Sequence, residues 1–473
     1  MAKGLRAVNI GLDDFLSPFR KGGVPCADID WKPPAQGDSE LIDILFNLAV
    51  GFRNADGDSL IDIANHTGLR RILAAQPVVR RVRPARELIP DFAENVILHA
   101  GPPVKWENMC GPMRGAIVGA VLYEGLAPSE AEAERLLHSG SIACQSNYTL
   151  NVVAPMAGAV SRSMPLFLVE NETAGNIAYS PLNEGVGHAL RFGENHPPVL
   201  ARLKWLEEVL APALDRALVG LGGVALKPIM SQALLMGDEM HQRNVAASLA
   251  FYRSVATELV DAAESADDLK SIVSFLAREN EQFFLNLAMA AAKTAMDTAR
   301  IIPHSTLITA MNRNGVDFGM HLSATGDRWF TAPSLYPKGL YFPGYTETDA
   351  NPDMGDSAIV ECYGIGGMAL GAVPSVTHLV GAGNLMESLE YTVDMNHICI
   401  GRDPDLAIPN CDFAGAPTGI DVCRVVATGI LPLIISGVAH HKPGVGQVGT
   451  GLVTPPMEVM NKALRAFYQT VAG

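Results

Sequence analysis

Four short segments set ionisable and amide side chains among apolar neighbours: LNEGVGHALRFG (Leu182–Gly193), MGDEMHQRN (Met236–Asn244), MNRNGVDFG (Met311–Gly319) and DMGDSAIVE (Asp353–Glu361). Burying Asp, Glu, Arg or Asn is costly unless these groups pair or meet a ligand. A planar guanidinium suits bidentate contact with a carboxylate or phosphate, which marks Arg243 and Arg313. Asn183, Asn244 and Asn314 carry amides able to hold an amide substrate or a developing oxyanion. Any one segment reads equally well as a structural ion-pair network between domains. Their recurrence favours a polar small-molecule site.

Other chemistries find less support. GVGQVGTG sets Gly444, Gly446 and Gly449 in G-x-G-x-x-G spacing. A dinucleotide turn needs a strand just before those glycines and a helix opening on the third. Here His440–Pro443 precede and Thr454–Pro456 follow, so a turn-rich loop is expected, with a backbone anion cradle as the other reading. Asp238 and His241 at i,i+3 would share a helix face, but no second Glu-x-x-His, no H-E-x-x-H and no Cys/His zinc spacing accompanies them. No metal and no cofactor is called for. The adjacent His440 and His441 are expected to point different ways, one packed and one exposed. Cys110 in MCGPMRG lies near an expected helix N-terminus, where a thiolate is stabilised; a buried, inert thiol is the plainer reading.

The elements that must position these groups belong to a long chain of 473 residues, 48% hydrophobic and 18% charged, enough for several domains and a subunit interface, hence a homo-oligomer. With 35 basic against 50 acidic residues the net charge is −15, which argues against nucleic acid. The cluster Arg70, Arg71, Arg80, Arg81, Arg83 and Arg86 is followed at once by Glu87, Asp91 and Glu94 and reads as a solvated helix-and-loop surface. Seven scattered cysteines without C-x-x-C suit a reducing compartment, and Val425–Ala439, the most apolar late stretch, is too short and too broken to cross a membrane. A cytoplasmic protein is expected.

The fold class expected is α/β (α+β) and multi-domain: two α/β domains with an inserted or intervening helical domain and a short N-terminal Rossmann-like βα segment. RAVNIGLDDF reads as a buried strand with Gly11 at its bend, and VPCADIDWKPPAQGD as a second strand closed by Pro33 and Pro34. Helical patterning runs from Ser39 to about Leu88, ending in an exposed Arg/Pro linker over Val82–Ile89. Strands are expected at Asn95–Pro103, Leu150–Val153 and Leu166–Val169, and helices after Cys110 and over Ser129–Ser139. Apolar residues at helical spacing fill 198–300, and glycine-punctuated short runs follow. The units are thus 1–90, 91–197, 198–303 and 304–473.

The runs HAGPPVKWENMCGPMRGA (His99–Ala116), LVENETAGNIAYSPLNEGVGHALRFG (Leu168–Gly193), MGDEMHQRN, FFLNLAMAAAKTAMD (Phe283–Asp297) and TAMNRNGVDFG (Thr309–Gly319) resemble the YlbE-like family of bacterial proteins. The resemblance spans about residue 80 to the C-terminus. It implies two α/β domains with a small helical one, and a subunit of the oxamate carbamoyltransferase of anaerobic allantoin breakdown. FdrA-type partner subunits are implied too, since Val8–Phe15 and Ala27–Ala35 look like a segment shared with that partner. The implied reaction joins oxamate to the carbamoyl group of carbamoyl phosphate, or runs back as phosphorolysis of oxalurate. For it, Lys105, Arg114, Arg243 and Arg313 are the candidate cations, with Glu184, Asn244 and Gly315 beside them. Asn183 and Asn314 are candidate oxyanion donors, and His241 or Glu239 the proton carrier. The phosphate loop of aspartate and ornithine carbamoyltransferases is absent. A stand-alone enzyme on another amide or ureido acid, or a non-catalytic scaffold or ligand-binding subunit, are the alternatives.

Overall fold

The computed structural model describes residues 7–10, 15–29, 31–185, 187–381 and 383–472; the bend expected at Gly11 lies outside them. Helices and sheets mix throughout, as the expected fold class requires. Two four-stranded antiparallel sheets carry most of the architecture. One runs Ile177–Pro181, Pro165–Asn171, Pro77–Pro84, Val224–Ala225, and the other Phe330–Pro333, Asp317–Leu322, Ile308–Asn314, Met354–Gly355. Lys338–Tyr341, Gln447–Val453 and Ile434–Ala439 make a three-stranded sheet, and Cys399–Ile408 pairs with Ala414–Ile420. Val96–His99 and Ala143–Ser146 are parallel, joined by the helices Gly111–Tyr123 and Glu130–His138.

Helix Phe284–Asp297 lies at the centre, buried on every side from Phe284 to Met296. Its alanines let neighbours approach closely, and it packs against the first sheet and against helix Ile359–Tyr363. Helix Val245–Ala262 buries Ala247, Phe251, Val255, Leu259 and Ala262, the three-to-four spacing of a single apolar face. Side-chain caps start several helices: Ser129 accepts from the Glu132 N–H and Ser265 from the Asp268 N–H.

Several expectations are corrected. Pro77–Pro84 is a strand inside the first sheet, neither helix nor linker, with Val82 1% exposed. Its arginines are ion-paired rather than merely solvated: Arg80 with Glu170 and Glu172, Arg81 and Arg83 with Asp215. These partners are far away in sequence, which hid the strand. Leu150–Val153 supplies only an isolated bridge, Val152 to Tyr179. The N-terminal unit is a parallel pair, Ala7–Ile10 with Cys26–Ile29, flanking helix Ser17–Lys21. Its first strand is not buried, since Val8 and Ile10 are 64% and 62% exposed. Met236–Asn244 is a non-helical connection between helices Lys227–Leu235 and Val245–Ala262, so Asp238 and His241 share no helix face.

Candidate functional site

After strand Ile177–Pro181 the chain leaves the sheet at Leu182 and crosses the end of the central helix. Asn183 donates to Asn286 Oδ1 at 2.9 Å and accepts from the Gly185 N–H at 3.1 Å, and Asn286 donates to the Pro181 carbonyl at 2.8 Å. This amide pair ties the loop to the helix. Farther along, the carboxylate of Glu184 accepts from the N–H groups of Leu190 (2.5 Å) and Arg191 (3.0 Å), holding the short turn Leu190–Phe192.

A narrow cavity opens between these parts, lined by Asn183, Glu184, Arg191 and Asn286 together with apolar residues such as Met164 and Leu206. It offers about 30 Å³ for the centres of water-sized atoms. One water needs roughly 10–15 Å³ on that scale, so the cavity has room for about two or three waters or a group of that size, such as a carboxylate, and none for a nucleotide. Arg191 is 6% exposed. Its Nη2 donates to the Gly185 carbonyl at 2.6 Å, and its Nη1 meets no acceptor among the described residues. A buried guanidinium nitrogen without an acceptor in a cavity wall is a ready partner for an anion. Burial pulls the Arg191 pKa down and pushes the Glu184 carboxyl up, each group opposing the other's shift.

The structure brings only Asn183 and Glu184 of the expected residues to this cavity. Glu239, His241, Arg243 and Asn244 form a separate turn. The Glu239 carboxylate accepts from the N–H groups of His241, Gln242 and Arg243, and burial pushes its pKa up to about 7. His241 Nδ1 lies 2.7 Å from Glu361 Oε1, which also accepts from the Gly367 N–H. Arg243 Nε lies 3.1 Å from Asp238, and Asn244 donates to the His241 carbonyl.

Arg313 and Asn314 lie in the interior on strand Ile308–Asn314. The Arg313 guanidinium donates to both Asp353 oxygens, to the Gly355 carbonyl and to Ser436, which leaves little of it for a substrate. Asn314 donates to the Pro102 carbonyl and accepts from Val316 and Asp317, holding a turn. Gly315 sits in that turn at φ +80°, where a Cβ would come 2.5 Å from Cys110 Sγ. Burial pushes the Cys110 thiol up, so the helix start does not make it a thiolate. Lys105 is exposed, and Arg114, over the Trp106 ring, lines a cleft with Glu130 and Glu134. His440 is buried and His441 exposed, yet their rings stack at 4.6 Å instead of diverging. The glycines of GVGQVGTG form a turn running into strand Gln447–Val453, with no helix on the third.

Sequence reasoning misses Arg191 and Asn286. Arg191 lies inside a segment already conspicuous for its polarity; Asn286 is hidden in an apolar helical run, where a lone amide is the only signal.

The family model of the oxamate carbamoyltransferase subunit AllG matches residues 142–357, a span that includes the cavity, the Glu239 turn and Arg313. The chain is 44% identical over 410 residues to the oxamate carbamoyltransferase subunit AllG of Escherichia coli (strain K12), covering 86% of this chain and 98% of that protein. It is 38% identical over 460 residues to the uncharacterized protein YahG of the same organism, covering 97% and 96%. The crystal structure of a conserved protein of unknown function from Enterococcus faecalis V583 superposes with a TM-score of 0.86 at 42% identity, over 87% of this chain and 99% of that one. Identity at this level along nearly the whole of the Escherichia coli subunit shows that the chain belongs to the AllG family, the one its motifs resemble.

Proposed function

We propose that the chain is a subunit of a carbamoyltransferase and that its cavity holds oxamate, or a closely related amido acid, by the carboxylate. The observation that carries this reading is Arg191, buried in a small cavity with Nη1 free of acceptors among the described residues. In the reaction, the oxamate nitrogen attacks the carbonyl carbon of carbamoyl phosphate. A C–N bond forms, the C–O bond to phosphate breaks, and the nitrogen gives up a proton, yielding oxalurate and phosphate. Fixing the acid by a charged fork at one end and by amides at the other is the kind of positioning that lowers such a barrier. Asn183 and Asn286 are the amides here, and Glu184 positions the turn that presents Arg191.

Among the described residues lining the cavity Arg191 is the one cation. A dianionic phosphoryl group calls for more positive charge than that, so its binding falls to another surface. The printed name of the Escherichia coli relative, a subunit, favours a heteromeric enzyme, with FdrA-type companions, over a chain acting alone. A second reading has its own support: the match to YahG extends over 97% of this chain against 86% for AllG. It makes the substrate an amido or ureido acid other than oxamate, in the same cavity.

Thermal shift of the purified chain decides between them. Oxamate, oxalurate, longer amido acids, carbamoyl phosphate and phosphate are the probes. A ligand at ~100 times its Kd adds about 2.7 kcal/mol of stability. Oxamate or oxalurate is expected to raise Tm, and Arg191→Met to remove the shift. Arg191→Lys, which keeps charge but loses the fork, should weaken it. A shift confined to longer acids selects the second reading. Equal shifts in wild type and both variants would remove Arg191 from the site.

A further inference from the structure

The loop that carries Arg191 continues into a second cluster, on its outer side. A turn at Leu190–Phe192 and Gly193 at φ +85° fold His188-Ala-Leu-Arg-Phe-Gly-Glu194-Asn-His196 back on itself. One ligand-capable atom from each of His188, Glu194 and His196 then lies within 4.8 Å of the others. Glu194 Oε2 is hydrogen-bonded to His188 Nδ1 and lies 3.0 Å from His196 Nε2. The Glu194 side chain is only 1% exposed, while His188 and His196 are 77% and 40% exposed. Among the described residues no lysine or arginine pairs with this carboxylate; two imidazoles do. A buried carboxylate compensated only by groups that are neutral when deprotonated lacks a permanent cation.

We propose that His188 Nδ1, Glu194 Oε2 and His196 Nε2 bind one divalent transition-metal ion of the zinc class. Two imidazole nitrogens and one carboxylate oxygen are the donor set such ions take, and three protein ligands on a solvent-facing side leave a position for water. The ion takes the place of the hydrogens in the Glu194–histidine contacts, each neutral imidazole presenting a bare nitrogen to it and keeping its hydrogen on the other ring nitrogen. The surroundings hold the carboxylate in place. Gly446 allows its approach, because a Cβ there would lie 2.6 Å from Glu194 Oε1, and the Gly444 N–H donates to the Gly193 carbonyl at 3.0 Å. The spacing H-x5-E-x-H in an irregular loop matches none of the zinc motifs sought in the sequence, which is why no metal is expected there from sequence. A bound ion also pins both ends of the turn bearing Arg191; this last consequence rests on the acid-binding reading, whereas the metal site does not.

The test uses the chelator-treated full chain, titrated with Zn²⁺ by calorimetry and with Co²⁺ by visible absorption. One ion per chain is expected, with the d–d bands of Co²⁺ in a low-coordinate nitrogen–oxygen site. Losing an outer-shell partner costs a metal site roughly 10–100-fold in affinity, so His188→Gln and His196→Gln should each cost at least about 100-fold. The double variant should not bind, with its circular dichroism unchanged because both rings lie at the surface. No one-to-one binding by the wild type, or binding undiminished in the double variant, overturns the proposal. Repeating the oxamate thermal shift with and without Zn²⁺ tests the link to the cavity; failure there alone leaves the metal site standing.

Discussion

Arg313 and Glu239 show how the same residue types serve different ends once their surroundings are known. Arg313 and Asp353 have side chains 0% and 2% exposed, and each satisfies the other. Removing one partner of a fully buried pair strands the other charge, at a cost of about 3–5 kcal/mol. Arg313→Ala is therefore expected to lower stability by that amount in urea denaturation; a variant as stable as wild type but unable to bind the acid would return Arg313 to the substrate. Glu239 carries a pH signature. Three backbone N–H groups favour its anion, but burial outweighs them and lifts its pKa from 4.5 to about 7. The folded protein thus holds this proton where the unfolded chain releases it. The contribution to stability is complete below about pH 4.5 and is lost as pH rises through about 7. Glu239→Gln cannot ionise, so the difference in Tm between wild type and variant should change across that window. A constant difference would assign the proton elsewhere.

At the scale of elements, what the sequence made legible is what local periodicity encodes. Val245–Ala262 and Glu130–His138 follow the helical spacing of their apolar residues, and Asn183 and Glu184 stand in a visibly polar segment. What stayed hidden depends on distant partners. Strand Pro77–Pro84 looks like a basic surface until Asp215, from helix Ala211–Leu221, accepts from Arg81 at 2.8 and 3.0 Å and from the Val82 N–H at 2.9 Å. Arg313 is legible as a fork for an anion, but that the anion is Asp353 is not. Asp215→Ala tests the strand. With Arg81 43% exposed, the loss should fall short of a fully buried pair, at about 2 kcal/mol in denaturant unfolding. A loss near zero would mean that the sheet's apolar face alone holds the strand. Gly315 makes the complementary point about turns. Its φ is +80°, and an added methyl carbon would come 2.5 Å from Cys110 Sγ. Gly315→Ala should therefore cost about 1–3 kcal/mol in the same denaturation without touching the cavity.

Across the whole molecule, one apolar cluster runs from Ala35 to Phe467 and takes in residues from all four stretches 1–90, 91–197, 198–303 and 304–473. Early and late helices meet on it: Arg465 of helix Met457–Ala472 pairs with Asp38, the N-cap of helix Ser39–Gly51, at 3.0 Å and with Glu40 in its first turn at 2.9 Å. A core shared in this way couples units that the sequence punctuates as separate. The four stretches, proposed as domains, are therefore expected to unfold together. The four tryptophans offer a direct measurement, because Trp31, Trp106, Trp205 and Trp329 fall one in each stretch. Trp31 is 60% exposed and should report little, whereas Trp106 is 8% exposed and should report fully. In variants that keep a single tryptophan, those at 106, 205 and 329 should give coincident denaturation midpoints. Because a ligand stabilises whatever unfolds with its site, oxamate should move all of these midpoints by the same amount. Separate midpoints, with the acid moving only some of them, would show independently folding units and place the cavity within the ones that move.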